Sequence, residues 1–295
     1  MRSYMKNMKV TDCFKEKMTL SFEVFPLKPE QDIAEMKSLL DALYRYSPDF
    51  INCTYGAGGS APGRSKETVE IIAKDKATIP VTHYNCINHS KAEIKKDLQD
   101  FENMGVKDVL ALRGDFPKEQ TSTGGVFNYA SELVAYIKKE FTEFSIAVSG
   151  NPESHIDCSN GALDVTRLKI KQDLGADYIM AQACHDVDIF KKWLEQIRKA
   201  GITIPVVAGV LPILSKNTTV FASYLNGIAI PSELSKIIGL YGNNPEEFKK
   251  AGMEYSKKQI SRFMNAGMEG LHLYTMNKAQ ETNEILLDVG FLNKI

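Results

Sequence analysis

Two acidic residues stand at the ends of apolar segments, where a carboxylate could do chemistry. Glu23 lies near the end of Leu20–Pro26, and Asp115 follows the apolar run Asp108–Leu112. A buried glutamate without a basic neighbour in the sequence can serve as a general acid. Asp115 lies two residues after Arg113, so it could form an ion pair that closes the strand or supply a charge to a site. The sequence leaves both interpretations open.

Other polar residues follow further apolar segments in the same way. Parallel strands keep their chemistry at their carboxyl ends, so side chains that follow different strands are expected to converge. Any one of them could simply cap a loop, but together they predict one site. The residues at these strand ends are Glu23, Thr54, His83, Asp115, Asn151 and Gln182.

Two segments could contact a phosphate group. Glycines at positions 56, 58, 59 and 63 could bring backbone N–H groups to an anion, although a flexible loop has the same composition. Their spacing fits neither the dinucleotide-binding motif nor the P-loop. Arg167, Lys169 and Lys171 on a later helix could contact a diphosphate, or they could form an ordinary solvated face.

A metal site can be imagined from the cysteine and histidine residues, but the spacing does not favour it. No pair has the i, i+4 or CxxC spacing of common metal ligands, so we predict no metal. The residues considered are His83, Cys86, His155, Cys184, His185 and Asp186.

The elements that must position these residues alternate between apolar strands and amphipathic helices. Eight such units predict an α/β fold of the (β/α)8 TIM barrel type, although a doubly wound sheet gives the same local signals. We expect a single domain over residues 1–295, with extra helices near Ser232–Leu240 and Pro245–Asn265, between strands 7 and 8. The strands are expected near Leu20, Phe50, Ile79, Val109, Ser145, Tyr178, Ile204 and Leu271.

The alternation in the fourth strand predicts which side chains face the interior. If Leu110 and Leu112 pack under the covering helices, Val109 and Ala111 face the barrel interior. Arg113 and Asp115 would then emerge from the interior face at the mouth.

The composition excludes several classes of protein. Lys+Arg 36 against Asp+Glu 37 gives a net charge of -1, without the basic patch of a nucleic-acid or membrane-surface binder. No signal peptide or membrane-spanning run is present, so we expect a cytoplasmic protein with a small-molecule ligand. The 5 cysteines show no CxxC spacing and are expected to be thiols.

Four short motifs resemble those of the methylenetetrahydrofolate reductase family. They are Ser21–Pro26, Cys53–Ala57, Ala111–Asp115 and Leu273–Asn277, and the similarity spans about Met18 to Leu292. The resemblance implies a barrel with FAD, rather than FMN, at the C-terminal mouth. Hydride transfer from flavin N5 would reduce 5,10-methylenetetrahydrofolate to 5-methyltetrahydrofolate. It also implies the short bacterial type, without a regulatory domain.

The resemblance assigns roles to residues of this sequence. Glu23 corresponds to the general acid that protonates the folate, and Asp115 to the acid near the flavin and the pterin. Gln182, Thr218 and Lys278 fall on substrate positions, as do Glu23 and Asp115. The positions implied to bind the flavin are Thr54, His83, Arg113, Gly114, Asp115, Tyr129, Ala130, Asn151, His155, Asp164, Arg167 and Lys171.

Departures from the family pattern concentrate on the substrate side. Ala183, Cys184 and His185 stand where the family has phenylalanines, Thr218 where it has a glutamine, and Lys278 where it has an arginine. On the flavin side, Asn151 replaces a tyrosine and Arg167 an asparagine. Since aromatic surfaces hold nicotinamide and pterin rings, NAD(P)H is expected to be a poor donor.

Two further hypotheses belong to other classes. The chain could be an electron-relay subunit that receives electrons from a partner protein, as in similar clostridial branches of the family. It could also be a metal-dependent barrel lyase or hydrolase that uses the cysteines and histidines. A homo-oligomer is compatible with the sequence.

Overall fold

The computed structural model describes residues 8–55, 64–115, 124–158 and 160–290. Parallel strands pair in chain order, and the last pairs with the first, so the sheet closes into a barrel. The predicted TIM barrel is therefore confirmed. The strands are β1 Thr19–Val24, β2 Phe50–Cys53, β3 Ile79–Asn85, β4 Asp108–Leu112, β5 Ser145–Gly150, β6 Tyr178–Ala181, β7 Val206–Val210 and β8 Gly270–Tyr274.

Helices cover the outside of the barrel, and a short one lies before the first strand. The two extra helices predicted between strands 7 and 8 are confirmed as α9 and α10. The helices are α1 Val10–Cys13, α2 Ile33–Tyr44, α3 Ser65–Asp75, α4 Lys91–Asn103, α5 Ala130–Glu140, α6 Gly161–Asp173, α7 Val187–Lys199, α8 Lys216–Asn226, α9 Ser232–Tyr241, α10 Pro245–Phe263 and α11 Ala279–Asp288.

Local signals in the sequence account for several helix ends. The Ser90 hydroxyl accepts a hydrogen bond from the Glu93 N–H at 3.3 Å, and the Glu93 carboxylate accepts one from the Ser90 N–H, which starts α4. Four glycines that follow helices all have positive φ, which glycine adopts without a Cβ clash. These residues are Gly105, Gly175, Gly201 and Gly267.

The strand faces separate a helix-covered outer core from a smaller interior core. Our prediction for β4 is wrong, because Leu110 and Leu112 point into the barrel while Val109 and Ala111 pack under the helices. Both faces of this strand are apolar, so alternation alone does not distinguish them. In β1, Phe22 and Val24 join the outer core, whereas Ser21 and Glu23 face the barrel interior.

The N-terminal end of the barrel, which we call the floor, is closed by α1. Val10 is fully buried, and its backbone N–H donates to the Asp108 carboxylate at 3.1 Å. Phe14, just after the helix, packs against Tyr178 with ring centroids 5.5 Å apart. The floor is therefore sealed, and access to the interior is from the opposite end.

The extra helices α9 and α10 pack beside β7 and its following loop. Phe248 and Tyr255 of α10 form a small core with Ile213 and Leu234. The helix lies close to the backbone here, since a Cβ on Gly252 would be 2.2 Å from the Ile213 carbonyl oxygen. Within the described ranges, no helix is both long and apolar enough to cross a membrane.

Candidate active site

Glu23 lies at the C-terminal mouth of the barrel, between two histidines. Its Oε2 atom is 3.6 Å from Nε2 of His83 and 3.8 Å from Nε2 of His272. The glutamate side chain is 15% exposed, whereas the two histidine side chains are 8% and 1% exposed. Glu23 is thus enclosed on the barrel side and still reachable by a ligand from the mouth.

One of these histidines is held by an amide on the neighbouring strand. Nδ2 of Asn52 and Nε2 of His83 lie 3.2 Å apart. Burial lowers the pKa of His83 from 6.5, although the nearby Glu23 opposes this shift. We infer that His83 is a neutral ring at neutral pH, able to accept a hydrogen bond from Asn52.

The second histidine is oriented by a hydroxyl on the other side. Ser21 Oγ lies 2.8 Å from Nδ1 of His272 and donates to the Leu271 carbonyl at 3.2 Å. The direction of the Ser21–His272 hydrogen bond depends on the tautomer of the ring, and in either tautomer Nε2 of His272 is the ring nitrogen nearer Glu23. We call Ser21, Glu23, Asn52, His83 and His272 the Glu23 cluster.

A second polar group lies across the mouth at Gln182. The Gln182 amide oxygen accepts from the Tyr274 hydroxyl at 3.3 Å, and its amide nitrogen donates to Asn226 on α8 at 3.2 Å. Tyr274 also packs edge-on against His272, with ring centroids 5.2 Å apart. This contact joins Gln182 to the Glu23 cluster through side chains.

Several residues predicted to bind the flavin form one continuous polar cluster. Arg113 donates to Asp157 at 3.1 Å, and Nδ1 of His155 lies 3.8 Å from that carboxylate. The backbone N–H of His155 donates to the Asp164 carboxylate at 3.2 Å. Asp164 in turn interacts electrostatically with Lys171. With Arg167 these residues form what we call the α6 polar cluster.

Lys171 is the inward-facing cation of this cluster. Its Nζ donates to the Ser149 carbonyl at 3.1 Å, and burial lowers its pKa from 10.5, opposed by Asp164. Arg167 is exposed, and Lys169 pairs with Asp173 on the outer surface. Of the three basic residues considered in the sequence, Lys171 is the one directed toward a strand end.

Further predicted flavin positions lie after β2 and in the segment that follows β4. Thr54 is buried, Tyr129 and Asp115 are exposed, and Ala130 begins α5. Sγ of Cys86 lies 3.7 Å from the Arg113 carbonyl and 4.0 Å from that of Tyr129, so these two segments adjoin.

Gly114 is required by geometry. Its φ is +91°, and a Cβ would lie 2.6 Å from the Ile87 side chain. A residue with a side chain would therefore displace Arg113 and Asp115 on either side.

The other predicted positions are less closely connected. Asn151 directly follows β5 and is half-buried. Thr218 lies in the first turn of α8, where its N–H donates to Ser215 at 3.2 Å. Lys278 is exposed at the start of α11. Glycines 56, 58, 59 and 63 lie outside the described residues.

The sequence reasoning missed Ser21, Asn52, His272, Tyr274 and Asn226. His272 and Tyr274 alternate with apolar residues along β8 and pair in register with Ser21 and Glu23. The alternation was therefore a usable signal for these two. Asn226 carries no such signal, because its partner lies 44 residues away.

The metal hypothesis gains no support from the geometry. In the part of the chain that the structure describes, no group of three or more His, Cys, Asp or Glu side chains is placed to hold a metal ion. Cys184 is buried, and its thiol donates to the Asp186 carbonyl at 3.1 Å.

These features define a parallel (β/α)8-barrel protein whose acidic, imidazole and amide side chains converge on a mouth suited to a small molecule. A sequence model described as methylenetetrahydrofolate reductase matches residues 8–290. The chain belongs to the methylenetetrahydrofolate reductase family, as the four motifs predict.

Curated relatives are found in eukaryotes and bacteria. Methylenetetrahydrofolate reductase 1 of Schizosaccharomyces pombe is 32% identical over 285 residues, covering 95% of this chain and 47% of that protein. This chain thus spans about half the length of the first relatives it matches. The 5,10-methylenetetrahydrofolate reductase of Pectobacterium carotovorum is 28% identical over 275 residues, covering 93% of this chain and 91% of that protein.

Solved structures share the fold at low sequence identity. A protein from Clostridium thermocellum, described as binding two copies of 5-methyl-5,6,7,8-tetrahydrofolic acid, superposes with a TM-score of 0.68 at 14% identity. It covers 97% of this chain and is itself covered completely. A 2,3-dimethylmalate lyase reaches a TM-score of 0.55 at 9% identity, covering 97% of this chain and 86% of its own, which again shows the barrel fold.

Proposed function

We propose that the protein reduces 5,10-methylenetetrahydrofolate to 5-methyltetrahydrofolate with the aid of a bound flavin. The main observation that supports this proposal is the position of Glu23, which lies at the mouth between His83 and His272 in a chain of this family. A bacterial relative named for this activity matches over 91% of its own length. The clostridial neighbour described as binding methyltetrahydrofolate supports a folate ligand in this fold.

Glu23 is the proposed general acid. Its proton goes to the folate nitrogen that leaves the methylene carbon, so one carbon–nitrogen bond breaks and the carbon becomes electrophilic. The carbon then receives a hydride, and the two additions complete the reduction. His83 and His272 flank the carboxyl group, and its 15% exposure gives it access to the ligand and to solvent for reprotonation.

The residues present fit a flavin dinucleotide. The α6 polar cluster supplies the guanidinium groups of Arg113 and Arg167 and the ammonium group of Lys171, which suit a diphosphate. This favours FAD over FMN, which has a single phosphate. The other proposed binding residues are Thr54, His83, Gly114, Asp115, Tyr129, Ala130, Asn151, His155 and Asp164. When bound, the flavin would supply the hydride from its N5 position.

The folate would lie between Glu23, Asp115 and Gln182. Thr218 is in the first turn of α8 and Lys278 at the start of α11, where we propose that they contact the outer part of the ligand. Asp115 is exposed at the end of the β4 segment and adds a negative charge to this side of the mouth.

One anaerobic experiment tests this proposal. The purified protein is expected to carry or take up FAD, seen by its visible absorbance, and the photoreduced form should be reoxidised by methylenetetrahydrofolate. The product should be 5-methyltetrahydrofolate by chromatography. A flavin-loaded protein that is not reoxidised by this folate, or a protein that takes up no flavin, would contradict the proposal.

A second candidate is an electron-relay subunit that receives electrons from a partner protein. It is favoured by small side chains at the mouth, because Ala183 packs with Leu211 and Ile228, and Ala222 and Tyr274 lie against them. A nicotinamide ring has less aromatic surface to stack on here. In the same cuvette, NADH is expected to bleach the flavin more slowly than a low-potential carrier. Rapid, saturable bleaching by micromolar NADH would contradict this candidate.

A further inference from the structure

The Gln182 carboxamide is held by hydrogen bonds at both of its ends. Its oxygen accepts from the Ala183 N–H at 2.9 Å and from the Tyr274 hydroxyl at 3.3 Å. Its nitrogen donates to the Asn226 side-chain oxygen at 3.2 Å. These contacts come from three different elements, namely the loop after β6, strand β8 and helix α8.

The donor and the acceptor of each hydrogen bond in this network can be assigned, because some of its groups can only donate and others can only accept. The backbone N–H of Ala183 can only donate, so the Gln182 atom that it contacts is the oxygen. The backbone carbonyl of Ala222 can only accept, and it receives the Asn226 amide N–H at 3.0 Å. The Asn226 atom that faces Gln182 is therefore an oxygen, which requires the nitrogen of Gln182 opposite it.

Tyr274 acts as a hydrogen-bond donor in this network. Burial raises the pKa of Tyr274 far above 10, and the nearby Glu23 raises it further, so the hydroxyl keeps its proton. It lies 3.3 Å from the Gln182 oxygen and 3.4 Å from the Ala181 carbonyl oxygen. Both are acceptors, so the Tyr274 proton is directed toward the Gln182 and Ala181 oxygens.

We propose that Tyr274 and Asn226 are positioning residues, which fix the orientation of Gln182 so that it offers a hydrogen-bond donor to the folate. One N–H of the Gln182 amide is used by Asn226, and the second is left for a ligand. The group recognised is a hydrogen-bond acceptor of the heterocycle, such as a ring nitrogen or a carbonyl oxygen. This inference rests on the proposed function, because it takes the ligand to be a folate.

Direct binding of 5-methyltetrahydrofolate, measured by calorimetry on the flavin-loaded protein, tests the inference. Tyr274→Phe and Asn226→Ala each remove one bond that orients Gln182, and each should weaken binding roughly two- to tenfold. Gln182→Glu replaces the donor with an acceptor and should weaken binding by roughly tenfold or more. Flavin reduction by a low-potential carrier should change little, because the folate takes no part in that step.

Tyr46→Phe is the matched control. Tyr46 is also buried, and its hydroxyl donates to a backbone carbonyl, that of Asn283 on α11, at 2.8 Å, with no contact to the loop that carries Gln182. It should leave folate binding unchanged. Thermal unfolding of each variant separates loss of the fold from loss of binding, because a purely structural role would lower the unfolding temperature and flavin reduction together.

The outcomes separate this inference from the proposed function. A wild-type protein that binds no 5-methyltetrahydrofolate would remove the basis of both. A wild-type protein that binds it, with Tyr274→Phe and Asn226→Ala variants that are folded and bind equally well, would overturn the positioning role alone. Tight binding by Gln182→Glu would show that the residue serves as an acceptor.

Discussion

The two ends of the barrel interior each hold a carboxylic acid, in different surroundings. At the mouth, Glu23 is 15% exposed and lies near two imidazole rings. At the floor, Asp108 is fully buried under α1, and it accepts the Val10 N–H. Burial raises the pKa of Asp108 to about 7. An inward-facing acid is thus no sign of catalysis by itself; access from solvent and the neighbouring groups distinguish the two.

The floor also holds buried polar atoms that take no part in the site at the mouth. Among the described residues, the Thr19 and Tyr178 hydroxyls have no hydrogen-bond partner, and Ser145 is the hydroxyl that lies beside the Asp108 carboxyl group. Buried polar groups of this kind reduce stability. The floor is therefore expected to govern stability and the mouth to govern chemistry.

The largest effect is expected from Glu23→Gln at the mouth. The variant cannot supply a proton, and general acid catalysis contributes roughly 10² to 10⁴-fold, so steady-state reduction of methylenetetrahydrofolate should fall by that order. The unfolding temperature should change little, because glutamine has the same shape. A comparable loss of stability and activity would break the distinction between the two ends of the barrel.

Asp108→Asn at the floor should have the opposite effect, changing the stability of the protein and leaving its activity nearly unchanged. The pKa of Asp108 is raised from 3.8 to about 7 in the folded protein, so the folded state holds this proton more tightly than the unfolded state. The resulting contribution to the free energy of unfolding is complete below about pH 4 and is lost as the pH rises through 7. The loss has an upper bound of about 4 kcal/mol. Asparagine stays neutral and can still accept from Val10. The variant should therefore be more stable than wild type at pH 8, with a smaller difference at pH 5.

Urea unfolding at several pH values measures this effect. Wild-type stability should fall from pH 5 to pH 8 more steeply than that of Asp108→Asn. The variant should keep the rate of folate reduction, since the floor is sealed from the mouth. Parallel pH profiles for the two proteins would show that Asp108 does not titrate as inferred.

The smallest effect is expected from Asp115→Asn. If the carboxylate lies beside the flavin, removing its negative charge should raise the flavin reduction potential. Asp115 is exposed, so solvent screens its charge, and a shift on the order of 20 mV is expected. Spectroelectrochemical titration of the flavin-loaded variant measures it. An unchanged or lower potential would argue against a flavin beside Asp115.

The eight strand–helix units could be predicted from the sequence because each carries its own local signals, whereas closure into a barrel is shown by the pairing of β1 with β8. Gly105, Gly175, Gly201 and Gly267 end helices, and a short apolar strand follows each. The faces of β4 were predicted wrongly because both are apolar, so alternation gave no direction. Glu23 and Gln182 were found from their positions at strand ends.

Contacts between distant residues required the closed barrel. Ser21 and His272 are 251 residues apart and touch because β1 pairs with β8. Gln182 and Asn226 meet because α8 folds back over the mouth after β7. A single sequence gives no information on such pairs. The neighbours of a residue determine its chemistry, and here only the structure shows them.

The most direct test of the account is the rate at which methylenetetrahydrofolate reoxidises the reduced flavin, measured by stopped flow in wild type and Glu23→Gln. We expect rapid reoxidation in wild type and a rate at least roughly 100-fold slower in the variant. Reduction of the flavin by a low-potential carrier should be nearly equal in the two proteins. Equal reoxidation rates, or equal slowing of both steps, would contradict Glu23 as the acid that activates the folate.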